Sequence, residues 1–198
     1  MERRTQISAL LISIAGLGSA IFSAAVNFTS GISMLSVGFL FGAALAVYFA
    51  LYEGYREPVR LAAFIIACTA AFPISLLTSA GVFMVSGADF TMGSSPGIPL
   101  LFYWGGGWLG AFLVLEAGML LFGPGNIGWA SLRKAAMWSV GGGLLAVAAR
   151  LAGAQEMSLR LYLIWQPGTA LLLGLLLAQE RVETAQVDPF GSPWELHL

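Results

Sequence analysis

The chain has 198 residues, of which 58% are hydrophobic and only 10% charged, with nine Lys and Arg set against ten Asp and Glu. A soluble domain carries roughly 25% charged residues, so this charge complement cannot cover a surface of the required size. A soluble enzyme, a nucleic-acid binder and a disordered chain are excluded, and the surplus apolar surface, at a mean hydropathy of +0.84, is expected to face lipid.

A helix crossing the hydrocarbon needs about 20 mostly apolar residues. Six stretches meet that length: Thr5–Asn27, Ile32–Glu53, Pro58–Val85, Ile98–Phe122, Leu132–Ala152 and Ser158–Gln179. Turn-forming segments separate them, among them Thr29-Ser30-Gly31, Glu53-Gly54 and Gly123-Pro124-Gly125-Asn126. Runs such as Leu171-Leu172-Leu173 break the alternation a β-barrel requires, and in lipid the backbone must satisfy its own hydrogen bonds. The fold expected is an all-α integral membrane protein, a bundle of six transmembrane helices over residues 1–180, with a short cytoplasmic tail at 181–198.

The first span has a second reading. Arg3-Arg4, an apolar run and Ser23-Ala24-Ala25 resemble a cleavable signal peptide; as part of the chain, the segment is read as the first membrane helix. With six spans, one side carries Arg3, Arg4, Arg56, Arg60, Arg133, Lys134 and Arg181, and the other only Arg150 and Arg160. Basic residues favour the cytoplasmic side, which places both termini there, in a plasma membrane of the bacterial inner-membrane kind.

The spans group as three helix hairpins (1–2, 3–4, 5–6). Each odd span opens on a base: Arg4, Arg60, and Arg133-Lys134. A triple-hairpin repeat of the kind found in transporters predicts that pattern, and so does alternating polarity without any duplication. Small residues lie near the middle of every span. Gly38 with Gly42, and Gly106 with Gly110, have the spacing that lets helix backbones approach closely. Gly105-Gly106-Gly107 and Gly141-Gly142-Gly143 weaken their helices, and Pro73 and Pro167 each free a carbonyl four residues earlier. Such irregular helices either pack a tight bundle or open a solute path through Gly106 and Gly142.

Few polar groups fall inside. Glu116 lies about 9 Å from the middle of span 4 on its cytoplasmic side, where a carboxylate is costly and marks a paired or functional site. Arg133 and Lys134 enter from the same side and are its expected partners; Arg150 lies near the opposite surface. Gln166 sits near the midplane in Trp165-Gln166-Pro167-Gly168, where its amide suits an interhelical hydrogen bond or a solute. Trp104, Trp108, Tyr103 and Tyr162 form either an interfacial belt or the wall of a vestibule. The linker from Gly87 to Pro99 is the longest outer loop and a candidate lid.

The inventory also excludes chemistry. Cys68 is the one cysteine and His197 the one histidine, so no disulfide, zinc cluster or intramembrane haem ligand is expected, and no cofactor or metal. An intramembrane enzyme is not expected, since no serine has an evident base. The Asn-Pro-Ala-Pro-Leu-Gly signature of acetate channels and the histidines of urea channels are absent, and no family is assigned. The expected function is a channel or transporter for a small neutral or weakly polar solute, with Glu116, Gln166, Trp165, Gly106, Gly142 and Trp108 on the path. The alternative is a non-catalytic subunit that binds lipid or scaffolds a larger membrane complex. Membrane lipids, further copies of the chain or other membrane subunits are the expected partners, and no nucleic acid.

Overall fold

Long apolar runs, uninterrupted by turn chemistry, form six α-helices in the computed structural model, which describes residues 3–30, 34–85, 97–124, 129–152 and 159–187. The helices are α1 (Arg3–Ser30), α2 (Met34–Leu51), α3 (Pro58–Val85), α4 (Gly97–Phe122), α5 (Trp129–Leu151) and α6 (Leu159–Val187). The candidate lid between residues 86 and 96, and the part of the tail from 188 onwards, lie outside the described residues.

Four helices are long and apolar enough to cross a membrane, over Gln6–Ala25, Pro58–Thr78, Leu100–Phe122 and Leu161–Thr184. The other two of the six expected spans fall short for separate reasons. Glu53-Gly54 ends α2 early: Gly54 takes a φ of +78°, a conformation glycine adopts without strain, and the Tyr55 N–H turns back to the Phe49 carbonyl at 3.1 Å. The apolar part of α5 is confined between Lys134 and Arg150. At the other extreme, α6 runs on to Val187, into the segment read as tail.

Each helix packs against the next, and α6 packs against α1 to close a ring. Neighbours around the ring are antiparallel. One end of the bundle therefore collects the starts of α1, α3 and α5 and the ends of α2, α4 and α6. We refer to it as the basic end, since Arg56, Arg60, Arg133, Lys134 and Arg181 belong to it. Across the middle, α4 and α6 also touch. Gly110 faces Trp165, and Gly118 faces Leu173, so this pair runs parallel.

Three seams hold the ring. A Cβ added at Gly16 would lie 2.9 Å from the Gln166 carbonyl oxygen; at Gly38, 2.7 Å from that of Cys68; at Gly107, 2.8 Å from that of Gly142. Backbone meets backbone at each, and such close approach is what drives association where lipid tails are as apolar as the helices. The seams join α1 to α6, α2 to α3 and α4 to α5. They lie between the three hairpins of the chain, within which side chains mediate the contacts, as Leu172 against Gly141 and Ser75 against Gly106.

Candidate functional site

At the basic end the core is aromatic and closed. Phe49 stacks on Phe122 at 4.0 Å, and Phe64 and Tyr55 meet Phe122 edge-on at 5.2 and 5.0 Å. The Tyr55 hydroxyl donates to the Phe122 carbonyl at 2.6 Å, and Arg60 donates to the Leu121 carbonyl at 3.3 Å. These donors satisfy carbonyls that the end of α4 would otherwise leave unpaired. On the other side of the same end, Glu53 accepts from Ser8 at 2.7 Å, from Tyr48 at 3.0 Å and from Arg181 at 2.7 Å, tying α1, α2 and α6 together. Burial alone would raise the Glu53 carboxyl, but the Ser8 hydrogen bond and the Arg181 guanidinium outweigh it and hold the group below its ordinary value.

In the opposite half the helices enclose a cavity of about 110 Å³. Tyr103, Gly106 and Gly110 of α4, Ser75 of α3, and Tyr162 and Trp165 of α6 line it, together with apolar side chains such as Leu76 and Leu161. Its floor is aromatic: Phe72 lies edge-on to Trp165 at 5.2 Å, and behind them the buried Phe41 approaches Trp165 and Phe72 at 6.1 and 6.3 Å. Between that floor and the basic end, Leu45, Phe49, Phe64, Leu115 and Phe122 are fully buried. The cavity is blind.

The glycine run of α4 shapes this wall. Without side chains at 106 and 107, neighbouring helices reach its backbone: the Ser75 hydroxyl donates to the Gly106 carbonyl at 2.9 Å, and the Trp165 indole N–H donates to the Gly107 carbonyl at 3.3 Å. Both donors are thereby engaged, which leaves the cavity a predominantly apolar surface. Beside it, the Arg150 guanidinium lies 5.7 Å from the Tyr103 ring centre, within the range of a cation–π contact.

Of the residues expected on a solute path, Trp165 and Gly106 meet at this cavity. The others are placed elsewhere. Gly142 is packed into the α4–α5 seam against Ala111 and Gly107. Trp108 stacks between Trp104 and Phe112, and its indole N–H reaches the Ala136 carbonyl at 3.4 Å. Gln166 faces α1, where its amide oxygen accepts from Ser19 at 2.6 Å. Its amide nitrogen, Ser23 Oγ and Thr169 Oγ1 are buried with no hydrogen-bond partner among the described residues.

Glu116 is half-buried on α4, with Oε2 shielded and unpartnered among the described residues. Its expected partner Lys134 is engaged by Glu180 and Glu183 of α6, and Arg133 is exposed. Sequence reasoning passed over Ser75, Ser19 and the Glu53–Arg181 pair. Serine is common in membrane helices, and a pair 128 residues apart leaves no local spacing to read.

Searches against protein-family models, characterised proteins and solved structures find no match to this chain.

Proposed function

We propose that this chain is a polytopic membrane protein that binds a small, uncharged, largely apolar molecule, or one ring or short chain of a lipid, in the blind cavity between α3, α4 and α6. The observation that carries this reading is the cavity's chemistry: an aromatic floor, apolar walls, and a serine and an indole already engaged by α4 carbonyls. Its volume is of the order of the roughly 150 Å³ apolar cavity that accepts benzene, which sets the size of the group it holds. Six helices cross the membrane in this reading, α2 and α5 among them, with exposed apolar side chains such as Phe39, Val47, Met137 and Leu144 on their outer faces. The excess of Lys and Arg at the basic end supports a cytoplasmic position for that end and both termini, in a membrane of the bacterial inner-membrane kind.

Such a site suits a non-catalytic binding subunit. A solid core below the floor and the placement of Gln166 and Glu116 away from the cavity do not favour an open channel. A second reading is a carrier that rocks to release its solute. Pro73 and Pro167, each inside a helix that lines the cavity, favour it as hinge points.

The test uses purified protein in nanodiscs and p-cresol as probe, followed by ligand-observed NMR. Saturable binding is expected to wild type, little to Leu76→Trp, which fills the cavity, and none of benzenesulfonate. Equal p-cresol binding by wild type and Leu76→Trp, at equal thermal stability, overturns the assignment. Proteoliposome efflux of glycerol and acetamide separates the two readings: rates above those of empty vesicles require the carrier.

A further inference from the structure

The membrane-facing side of α4 and α5 carries two opposite charges that do not meet within the chain. On α4, Trp104, Trp108, Phe112 and Glu116 recur at four-residue intervals and so form one stripe along the helix. The three rings stack along it, with centroid separations of 6.1 and 6.0 Å. Glu116 continues the stripe as the one charged residue of the apolar span Leu100–Phe122. On α5, Arg133 is exposed and shares its face with Met137, Val140 and Leu144, which are 72, 40 and 59% exposed. Neither Glu116 nor Arg133 forms a salt bridge among the described residues, while Lys134, next to Arg133, is held by two carboxylates of α6.

The depths match. Gly107 lies against Gly142 in the antiparallel α4–α5 seam. Glu116 is nine residues beyond Gly107, and Arg133 is nine residues before Gly142. Counted from Ala111, which also meets Gly142, Glu116 is five residues on, and five residues before Gly142 is Met137, one turn from Arg133. Arg133 and Glu116 thus lie within about one helical turn, some 5 Å, of each other along the bundle axis.

A two-fold axis parallel to the bundle axis preserves depth and sets α4 of one copy beside α5 of the other. We infer that the α4–α5 face is a homodimer interface in which Glu116 of each copy pairs with Arg133 of its partner, with the Trp104–Trp108–Phe112 stripe packed against Met137 and Leu144. Such an arrangement is self-complementary, as a two-fold interface must be, and it supplies an intramembrane carboxylate with the opposite charge it needs. Charge complementarity at equal depth selects a second copy over lipid as the occupant. The inference rests on the membrane reading and is independent of what the cavity holds.

The test measures the monomer–dimer equilibrium of the full chain in lipid bilayers, by single-molecule photobleaching across a range of protein-to-lipid ratios. Wild type is expected to dimerise. Glu116→Gln and Arg133→Gln should each weaken association about tenfold or more, and the exchanged pair Glu116→Arg with Arg133→Glu should recover most of it. The melting temperature and p-cresol binding of each variant check that the fold and the cavity persist. A wild type that stays monomeric overturns the inference and leaves the face to lipid or to another membrane protein. Single variants that dimerise like wild type, or an exchanged pair that melts normally but does not recover, overturn it as well.

Discussion

The two halves of this bundle are built from the same kinds of residue and behave as opposites. At the basic end, aromatic rings stack on one another in a tight cluster, and Ser8, Tyr48 and Arg181 each meet Glu53 at hydrogen-bond distance. In the other half, equally aromatic residues surround open space, and donors are taken up by the α4 backbone. The difference comes from α4. Toward the basic end Val114, Leu115 and Phe122 fill the core, whereas Gly106, Gly107 and Gly110 leave room that Phe72 and Trp165 border without occupying. Directional contacts lock one end, and small residues keep the other receptive.

Four measurements break or sharpen that contrast. The largest effect is expected where backbones touch. Gly38→Val brings its Cβ to within 2.7 Å of the Cys68 carbonyl oxygen and 2.9 Å of Thr69 Cα, and parting α2 from α3 should cost about 3 kcal/mol. A melting temperature in detergent within a degree of wild type would show that the seams are not structural. Next comes the lock itself. Glu53→Ala leaves Arg181, Ser8 and Tyr48 without their shared acceptor and should cost about 2 kcal/mol, read as a lower denaturation midpoint. A loss equal to that of an exposed control such as Glu57→Ala would demote the lock to a surface contact.

Acid titrates the same group. Because the folded Glu53 carboxyl is held below its ordinary value of 4.5, its contribution is complete above that value and fades as pH falls through the folded value. Stability should be level from neutral pH to about 5 and decline below it, and Glu53→Gln should flatten the decline. An unchanged acid profile in that variant would place the sensitivity elsewhere. The smallest effect belongs to Gly105→Ala. No heavy atom of a neighbouring element lies within 4 Å of a Cβ built there, so stability should match wild type or exceed it by up to about 1 kcal/mol through helix propensity. A large loss would mean that the glycine run matters for more than the seam and the cavity wall.

The six helices were legible because apolar length is written locally, and α3 begins and ends where composition places it, at Pro58 and Val85. Two of the six apolar runs come out shorter than their composition suggests, because a turn at Gly54 follows α2 and bases stand at each end of the apolar part of α5. At the site, glycine spacing drew attention to α4, and Gly106 and Trp165 both line the cavity. Spacing could not say that Gln166 turns to Ser19 or that Gly142 is buried in a seam. Those outcomes depend on the rotation of α6 and α5 about their axes, which neighbouring helices set. The Glu53–Arg181 pair was invisible for a related reason: it exists only because the last helix returns to the first.

That return has a consequence for how the molecule is made. A ribosome delivers α1 long before α6, yet Gly16 and Ser19 of α1 meet Gln166 and Ala170 of α6, and Ala9 and Ile12 meet Gly174. Until synthesis reaches them, α1 carries a bare notch at Gly16 on its flank. The α1–α6 seam therefore joins the two described helices that lie farthest apart along the chain, and the ring closes only once α6 has been made.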